Sequence, residues 1–222
     1  MAYLIGTDEA GYGPNLGPLV ISATVWEVPD DVGGEDLFDR LGHVITPELC
    51  RIDGDATRRV VMADSKKIYT PGKGLRQLER GLWAAFGLLG CCPRTWRDVW
   101  RVIAPGALDS MQTVPWYADY DGPTPSAYDA TELETLAGAL RGGLAAAGVR
   151  LVAVRSRAIF AHQFNDLVER HGSKGTALSQ QTLALAAAMI EPLPAAPISL
   201  ICDKHGGRDH YRDLLAEHFP SG

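Results

Sequence analysis

The chain opens on a short apolar run, Tyr3-Leu4-Ile5, that leads into two adjacent acids and then a glycine-punctuated stretch, Gly6-Thr7-Asp8-Glu9-Ala10-Gly11-Tyr12-Gly13-Pro14. The pattern predicts a strand over residues 2–9. A second strand is expected over 18–28, where Val, Ile and Thr follow the Gly17-Pro18 punctuation. Val60-Val61-Met62 reads as a third strand leading to Asp64. Residues 73–89 show helical spacing, with Leu75, Leu78, Leu82, Ala85, Phe86 and Leu89 on one face. A helix rich in Ala and Leu is expected from Thr131 to Ala147, and a strand from Val149 to Ile159. Two helices follow over 161–171 and 176–191, broken at Gly172 and Gly175. Ile198 to Asp203 reads as a strand and Arg208 to His218 as a final helix.

Two segments lack a clean period. Residues 29–58 are acidic and glycine-bearing, a loop with a short helix near Leu37, and read as an insertion. Residues 91–128, with their prolines and tryptophans, read as a second insertion forming a small lobe or lid. Three strands first and then alternating strands and helices imply an α/β chain, a mixed sheet with helices packed on it. At 222 residues the length suits a single domain spanning 1–222.

The paired acids change the picture from fold to chemistry. Successive strand residues point to opposite faces, so Asp8 and Glu9 cannot both be placed harmlessly while the strand stays buried. Unpaired buried carboxylates are very costly. A divalent cation resolves the conflict, because Mg2+ takes oxygen ligands, usually one or two carboxylates with substrate phosphates. Asp203 ends another predicted strand and is the third candidate. Taken alone it serves equally well as a cap or turn residue before Gly206-Gly207. Phosphodiester hydrolysis with two metal ions about 3.5–4 Å apart needs several carboxylates converging in this way. Asp64 reads as the N-cap of a following helix, which leaves Ser65 and Lys66 to meet a phosphate by hydroxyl and point charge.

The segment from Asp8 to Val20 resembles the opening motif of the type 2 ribonuclease H family, ribonucleases HII and HIII. There an apolar strand runs into Asp-Glu-Ala-Gly-Arg-Gly-Pro and then Gly-Pro-Val. Asp64-Ser65-Lys66-Lys67 is similar to the family's second mark. The helix from Asn165 to Ile190, leading into Leu200-Ile201-Cys202-Asp203, is similar to its third, and the three occur in the family's order. The resemblance implies a ribonuclease H-like fold and a Mg2+- or Mn2+-dependent endonuclease, with Asp8, Glu9 and Asp203 holding metal. Its substrate would be RNA in RNA–DNA hybrids or at ribonucleotides in a DNA duplex. Gly11, Tyr12 and Gly13 would inspect the ribose 2′-hydroxyl, the group that separates RNA from DNA. Ser65 and Lys66 would bind the backbone.

The chain departs from the family in places. Tyr12 replaces the loop Arg and removes a cation near phosphate. Asp203-Lys204-His205-Gly206-Gly207 stands where the family has Asp-Gly. The family's fourth acid lies further on, near a helix rich in small residues, and no such helix is read before Gly222. That ligand is expected beyond Gly222, or is gone, or is supplied by Asp209 or Asp213. The rival readings are a catalytically impaired ribonuclease H-like binding module, and a nuclease of the same fold with a different nucleic-acid substrate.

Net charge of −6 argues mildly against a nucleic-acid binder, but the acidity is local. Residues 27–58 hold nine acids and three bases, whereas 64–101 hold eight bases and three acids. The basic runs serve equally well as solvated faces. Trp96, Trp100 and Trp116 lie amid Arg94, Arg97 and Arg101 and either stack bases or pack a small lobe. The six histidines form no ligand pattern, although His205 lies two residues from Asp203. Cys202 is expected to face the core opposite Asp203, and the four cysteines match no zinc spacing. No apolar run reaches the roughly 18 residues that span a bilayer, and the first residues do not read as a signal peptide. A monomer in the cytoplasm, with reduced thiols and no membrane partner, is expected.

Overall fold

Strict alternation along β2 (Leu19–Val28) buries Leu19, Ile21, Ala23 and Val25, as the two-residue period of a strand demands. The preceding strand β1 (Ala2–Ala10) buries Tyr3 and Ile5 in the same way before reaching its acids. This computed structural model describes residues 1–11, 17–31, 37–48, 59–69, 74–205 and 210–220. Next along the chain come α1 (Leu37–Leu41), the two-residue strands β3 (Ile45–Thr46) and β4 (Val60–Val61), α2 (Ser65–Ile68) and α3 (Arg76–Leu88). They are followed by α4 (Trp96–Ile103), α5 (Ala107–Gln112), α6 (Pro115–Ala118) and α7 (Ala130–Ala146). The remainder is β5 (Arg150–Ile159), α8 (Ala161–His171), α9 (Lys174–Ile190), β6 (Ile198–Ile201) and α10 (Arg212–His218).

The chain divides into two compact units. The first holds Met1, Glu27–Val99 and Tyr120–Val152; the second holds Ala2–Trp26, Trp100–Asp119 and Ala153–Gly222. The main sheet has four strands in the order β5-β2-β1-β6. β1 and β6 run parallel, with Tyr3 opposite Ile198 and Gly6 opposite Ile201. β2 runs against β1, since Gly6 lies at Thr24 while Gly11 lies at Leu19. β5 runs against β2, since Ser22 bonds Ser156 at 2.8 Å while Glu27 pairs with Arg150. Parallel and antiparallel neighbours together make the mixed sheet that the pattern predicts. Val60-Val61 does form a strand, but it pairs in parallel with Ile45-Thr46 in a separate two-stranded sheet rather than joining the main one.

In the first unit, α3 and α7 pack through Trp83, Ala84 and Phe86 and through Leu133, Leu136, Ala137, Leu140 and Leu144. The buried stripe of α3 is therefore turned from the leucine face that the spacing suggests, and Leu75 is 61% exposed. The cause is the close approach of α7: a Cβ on Gly87 would collide with the Cβ of Ala137. Arg80 is buried because its guanidinium donates to the Arg59 carbonyl at 2.6 Å. Asp129 caps α7 in a reciprocal box with Glu132.

In the second unit, α9 buries Ala177, Leu178, Leu185, Ala186 and Met189 and packs on β1. Gly172, at φ 75°, ends α8 in the left-handed conformation. Ser173 caps α9 by accepting from the Thr176 N–H. Gly175 lies inside α9, so the break falls at Gly172-Ser173 rather than at both glycines. The aperiodic stretch 91–128 holds the three short helices α4 to α6. Among the described residues, no helix is long and apolar enough to cross a membrane.

Candidate metal centre

Asp8 and Glu9 sit near the C-terminal end of β1, and Asp203 lies two residues past the end of β6. The parallel register brings them together. Tyr3 opposite Ile198 sets an offset of 195 (198 minus 3), and Asp8 and Asp203 keep it (203 minus 8). Between them the Thr7 side chain hydrogen-bonds Cys202, again at that offset (202 minus 7). One carboxylate oxygen from each of Asp8, Glu9 and Asp203 lies within 4.8 Å of the other two. Asp8 and Asp203 are exposed and Glu9 is half-buried, so the group opens to solvent.

Asp8 and Glu9 have local neighbours. The Glu9 N–H donates to Asp8 Oδ1 at 2.9 Å, which holds that carboxylate against its own backbone. Behind Glu9 lies His205, only 2% exposed, with Nε2 3.9 Å from Glu9 Oε2. Ser179 donates its hydroxyl proton to the Gly175 carbonyl at 2.9 Å. Its oxygen is thus left to accept from His205 Nδ1 at 3.2 Å, which turns Nε2 toward Glu9. The His205 N–H donates to the Tyr211 hydroxyl at 2.9 Å, tying the segment after Asp203 to the start of α10. His205 therefore belongs to the site. The sequence hint was its spacing from Asp203; its partner Ser179 was missed, although a serine amid the Ala and Leu of α9 was the available signal.

Oxygen donors alone make up the group, which suits a hard cation such as Mg2+ or Mn2+. Cys202 adjoins them half-buried rather than sunk in the core. Burial pushes its thiol pKa above the ordinary value, with the Asp203 and Glu9 charges adding to the effect and the Thr7 bond opposing it. In the metal-free protein burial thus favours the protonated thiol.

Gly11 stands at φ 80° directly after β1, and a Cβ there would come within 2.8 Å of the Pro18 carbonyl oxygen. The backbone closes tightly on the start of β2 at that point. Tyr12 and Gly13 lie outside the described residues. Ser65 and Lys66 are exposed in α2 in the first unit, and Asp64 caps that helix as expected, accepting the Lys66 N–H at 2.8 Å. Asp213 is not part of the carboxylate group, and Asp209 lies outside the described residues. Trp96 packs edge-on against Tyr120 at 5.4 Å, and Arg97 bonds Tyr120 and Asp121, so this tryptophan holds a local turn together. Comparison with family models, with curated proteins and with solved structures finds no match.

Proposed function

We propose that the chain is a Mg2+- or Mn2+-dependent endonuclease resembling type 2 ribonuclease H, with a ribonuclease H-like fold. It would hydrolyse RNA phosphodiester bonds in RNA–DNA hybrids or at ribonucleotides in a DNA duplex. The observation that carries this reading is the meeting of Asp8, Glu9 and Asp203, drawn from opposite ends of the chain to one end of the sheet. Two like charges at 4 Å cost about 1 kcal/mol even in water. A divalent cation turns that cost into binding energy. Asp8, Glu9 and Asp203 would hold the metal, which when bound supplies an activated water and neutralises developing phosphate charge.

The chain's own residues do the rest. The Glu9 amide holds the Asp8 carboxylate in place, and His205 lies behind Glu9. Gly11 brings the backbone close to the start of β2, where the ribose 2′-hydroxyl would be read together with Tyr12 and Gly13. Ser65 and Lys66 offer a hydroxyl and an ammonium to a backbone phosphate. On this reading the protein works as a monomer in the cytoplasm.

The test is a gel assay on three duplexes, one hybrid, one DNA with a single ribonucleotide and one all DNA, with Mg2+ and with Mn2+. Cleavage confined to the ribonucleotide-bearing duplexes, and lost in Asp8→Asn and Glu9→Gln, is the expected result. Intact substrates with both metals would refute the nuclease reading, and retention of the duplexes without cleavage would favour a binding module.

A further inference from the structure

The first unit holds a cavity of about 610 Å3 whose lining is drawn wholly from that unit. None of Asp8, Glu9 and Asp203 borders it. We infer that this cavity binds a medium-chain carboxylate, its head on Arg94 and its apolar chain along Leu133 and Ala137. The inference does not rest on the nuclease reading.

The shape comes from α7. Ala130, Leu133, Glu134, Ala137 and Arg141 recur at three- and four-residue steps and so lie on one helical face. Eleven steps at about 1.5 Å each make that wall roughly 16 Å long. Spread over roughly 16 Å, 610 Å3 leaves a cross-section of about 38 Å2, roughly 6 Å across. Carbon atoms pack about 4 Å apart, so the width takes one extended chain. With bonds of about 1.5 Å, roughly ten carbons stay within the length.

The lining divides into an apolar floor and a charged rim. Trp83, Pro93, Leu133 and Ala137 are buried, whereas Arg94, Glu134 and Arg141 are exposed. Trp83 stands edge-on to Phe86, so it closes the floor and no stacking on it is required. Two cations against one acid leave the rim a single positive charge, which suits a monoanion better than a phosphate dianion. Arg141 already donates to the Gly87 carbonyl. Among the described residues, no hydrogen bond or ion pair engages the Arg94 guanidinium. Beside it, the Thr124 N–H donates to the Arg94 carbonyl at 2.9 Å, and Thr124 Oγ1 is buried with no partner among the described residues. A guanidinium takes a carboxylate in a two-pronged fork, and an unpartnered buried hydroxyl gains from any acceptor that reaches it. Small-molecule sites of about 300 to 1,000 Å3 combine an apolar floor with a few polar groups in this way.

Calorimetric titration of the whole protein with sodium decanoate tests the inference, with octanoate and decylamine as separate arms. Octanoate should bind about tenfold more weakly, for the loss of two buried methylenes. Decylamine should also bind about tenfold more weakly, because it meets Arg94 with like charge. Arg94→Ala should weaken decanoate about fivefold and leave decylamine no weaker. Glu134→Trp, at an exposed lining position, should block the cavity and remove binding with the melting temperature retained. Cys92 locates the site, since it lines the cavity and is exposed. Decanoate at ten times its Kd should slow Cys92 alkylation about tenfold, in proportion to occupancy, and leave that of Cys202 unchanged. Absence of binding at millimolar decanoate would overturn the inference. So would decylamine binding as tightly as decanoate, affinity indifferent to both variants, or Cys92 alkylation that decanoate does not slow.

Discussion

Asp8 and Asp203 lie two residues beyond the last paired residues, Gly6 and Ile201, at the same offset of 195 that sets Ile198 opposite Tyr3 (203 minus 8 and 198 minus 3), and their carboxylates come within 4.8 Å of each other. The carboxylate geometry is thus inherited from strand pairing. Tyr3 and Ile5 are buried on one face of β1, and a slip of one residue would turn them outward. The same slip would move Asp203 one place along from Asp8. Burial of apolar side chains therefore fixes a polar site at the strand ends.

The first prediction concerns Asp203→Asn. Removing one of three like charges within 4.8 Å relieves repulsion in the metal-free protein. The group is open to solvent, so the gain is at most about 1 kcal/mol and smaller still in salt. The variant should melt at the wild-type temperature or slightly above it. Mn2+ should raise the wild-type melting temperature by mass action and leave that of the variant unmoved. An equal metal-induced shift in both proteins would remove Asp203 from the ligand set.

Two adjacent glycines of α7 should respond in opposite directions. A Cβ on Gly143 would strike the side chain of Val44 and come within 2.9 Å of His43 Nε2. Gly143→Ala should cost about 1–3 kcal/mol through overpacking. Gly142 has nothing within 4 Å of its added Cβ, so Gly142→Ala gains only helix propensity, up to about 1 kcal/mol. Urea denaturation of the two variants measures the difference. Equal effects would mean that α7 does not lie against Val44.

The carboxylate trio was legible because the Asp8-Glu9 pair and Asp203 each close a predicted strand, where a carboxylate can leave the core. What lay hidden depends on tertiary partners. Leu75, Leu78 and Leu82 share a helical face, yet the buried stripe runs through Arg80, Trp83, Ala84 and Phe86. That rotation is set by the Gly87–Ala137 approach, which joins residues 50 positions apart (137 minus 87). Ile45-Thr46 is too short to show a period and becomes a strand only because Val60-Val61 pairs with it. Ser179 and His205 meet across 26 residues, and no local pattern announces a hydrogen bond of that kind.

Gly11 offers a test of the turn after β1, with Gly90 as its control. Both residues have positive φ, 80° and 70°, but only Gly11 would place a Cβ against backbone, 2.8 Å from the Pro18 oxygen. Gly90→Ala should cost the left-handed penalty alone, about 1–2 kcal/mol. Gly11→Ala should cost that plus the displacement of β2's first residues, and so more than its control. Equal losses in chemical denaturation would mean that the Gly11 backbone does not close on Pro18.

Asp129 makes stability depend on pH through the first turn of α7. Its carboxyl pKa lies below the ordinary value of 3.8, chiefly because it accepts the Thr131 N–H. The sign follows from linkage. A carboxylate whose pKa is depressed by folding contributes stability that is fully present above its unfolded value and is lost as the pH falls through the folded one. Asparagine caps helices nearly as well but does not titrate in this range. Asp129→Asn should therefore match the wild type closely at neutral pH, and the wild type should lose its cap below pH 3.8 while the variant keeps it. Asp129→Ala should melt a few degrees lower at neutral pH, with the gap to the wild type closing in acid. Melting curves of the three proteins between neutral pH and pH 3 decide the matter. A gap between Ala and wild type that stays constant in acid would mean that the Asp129 carboxylate does not hold the turn.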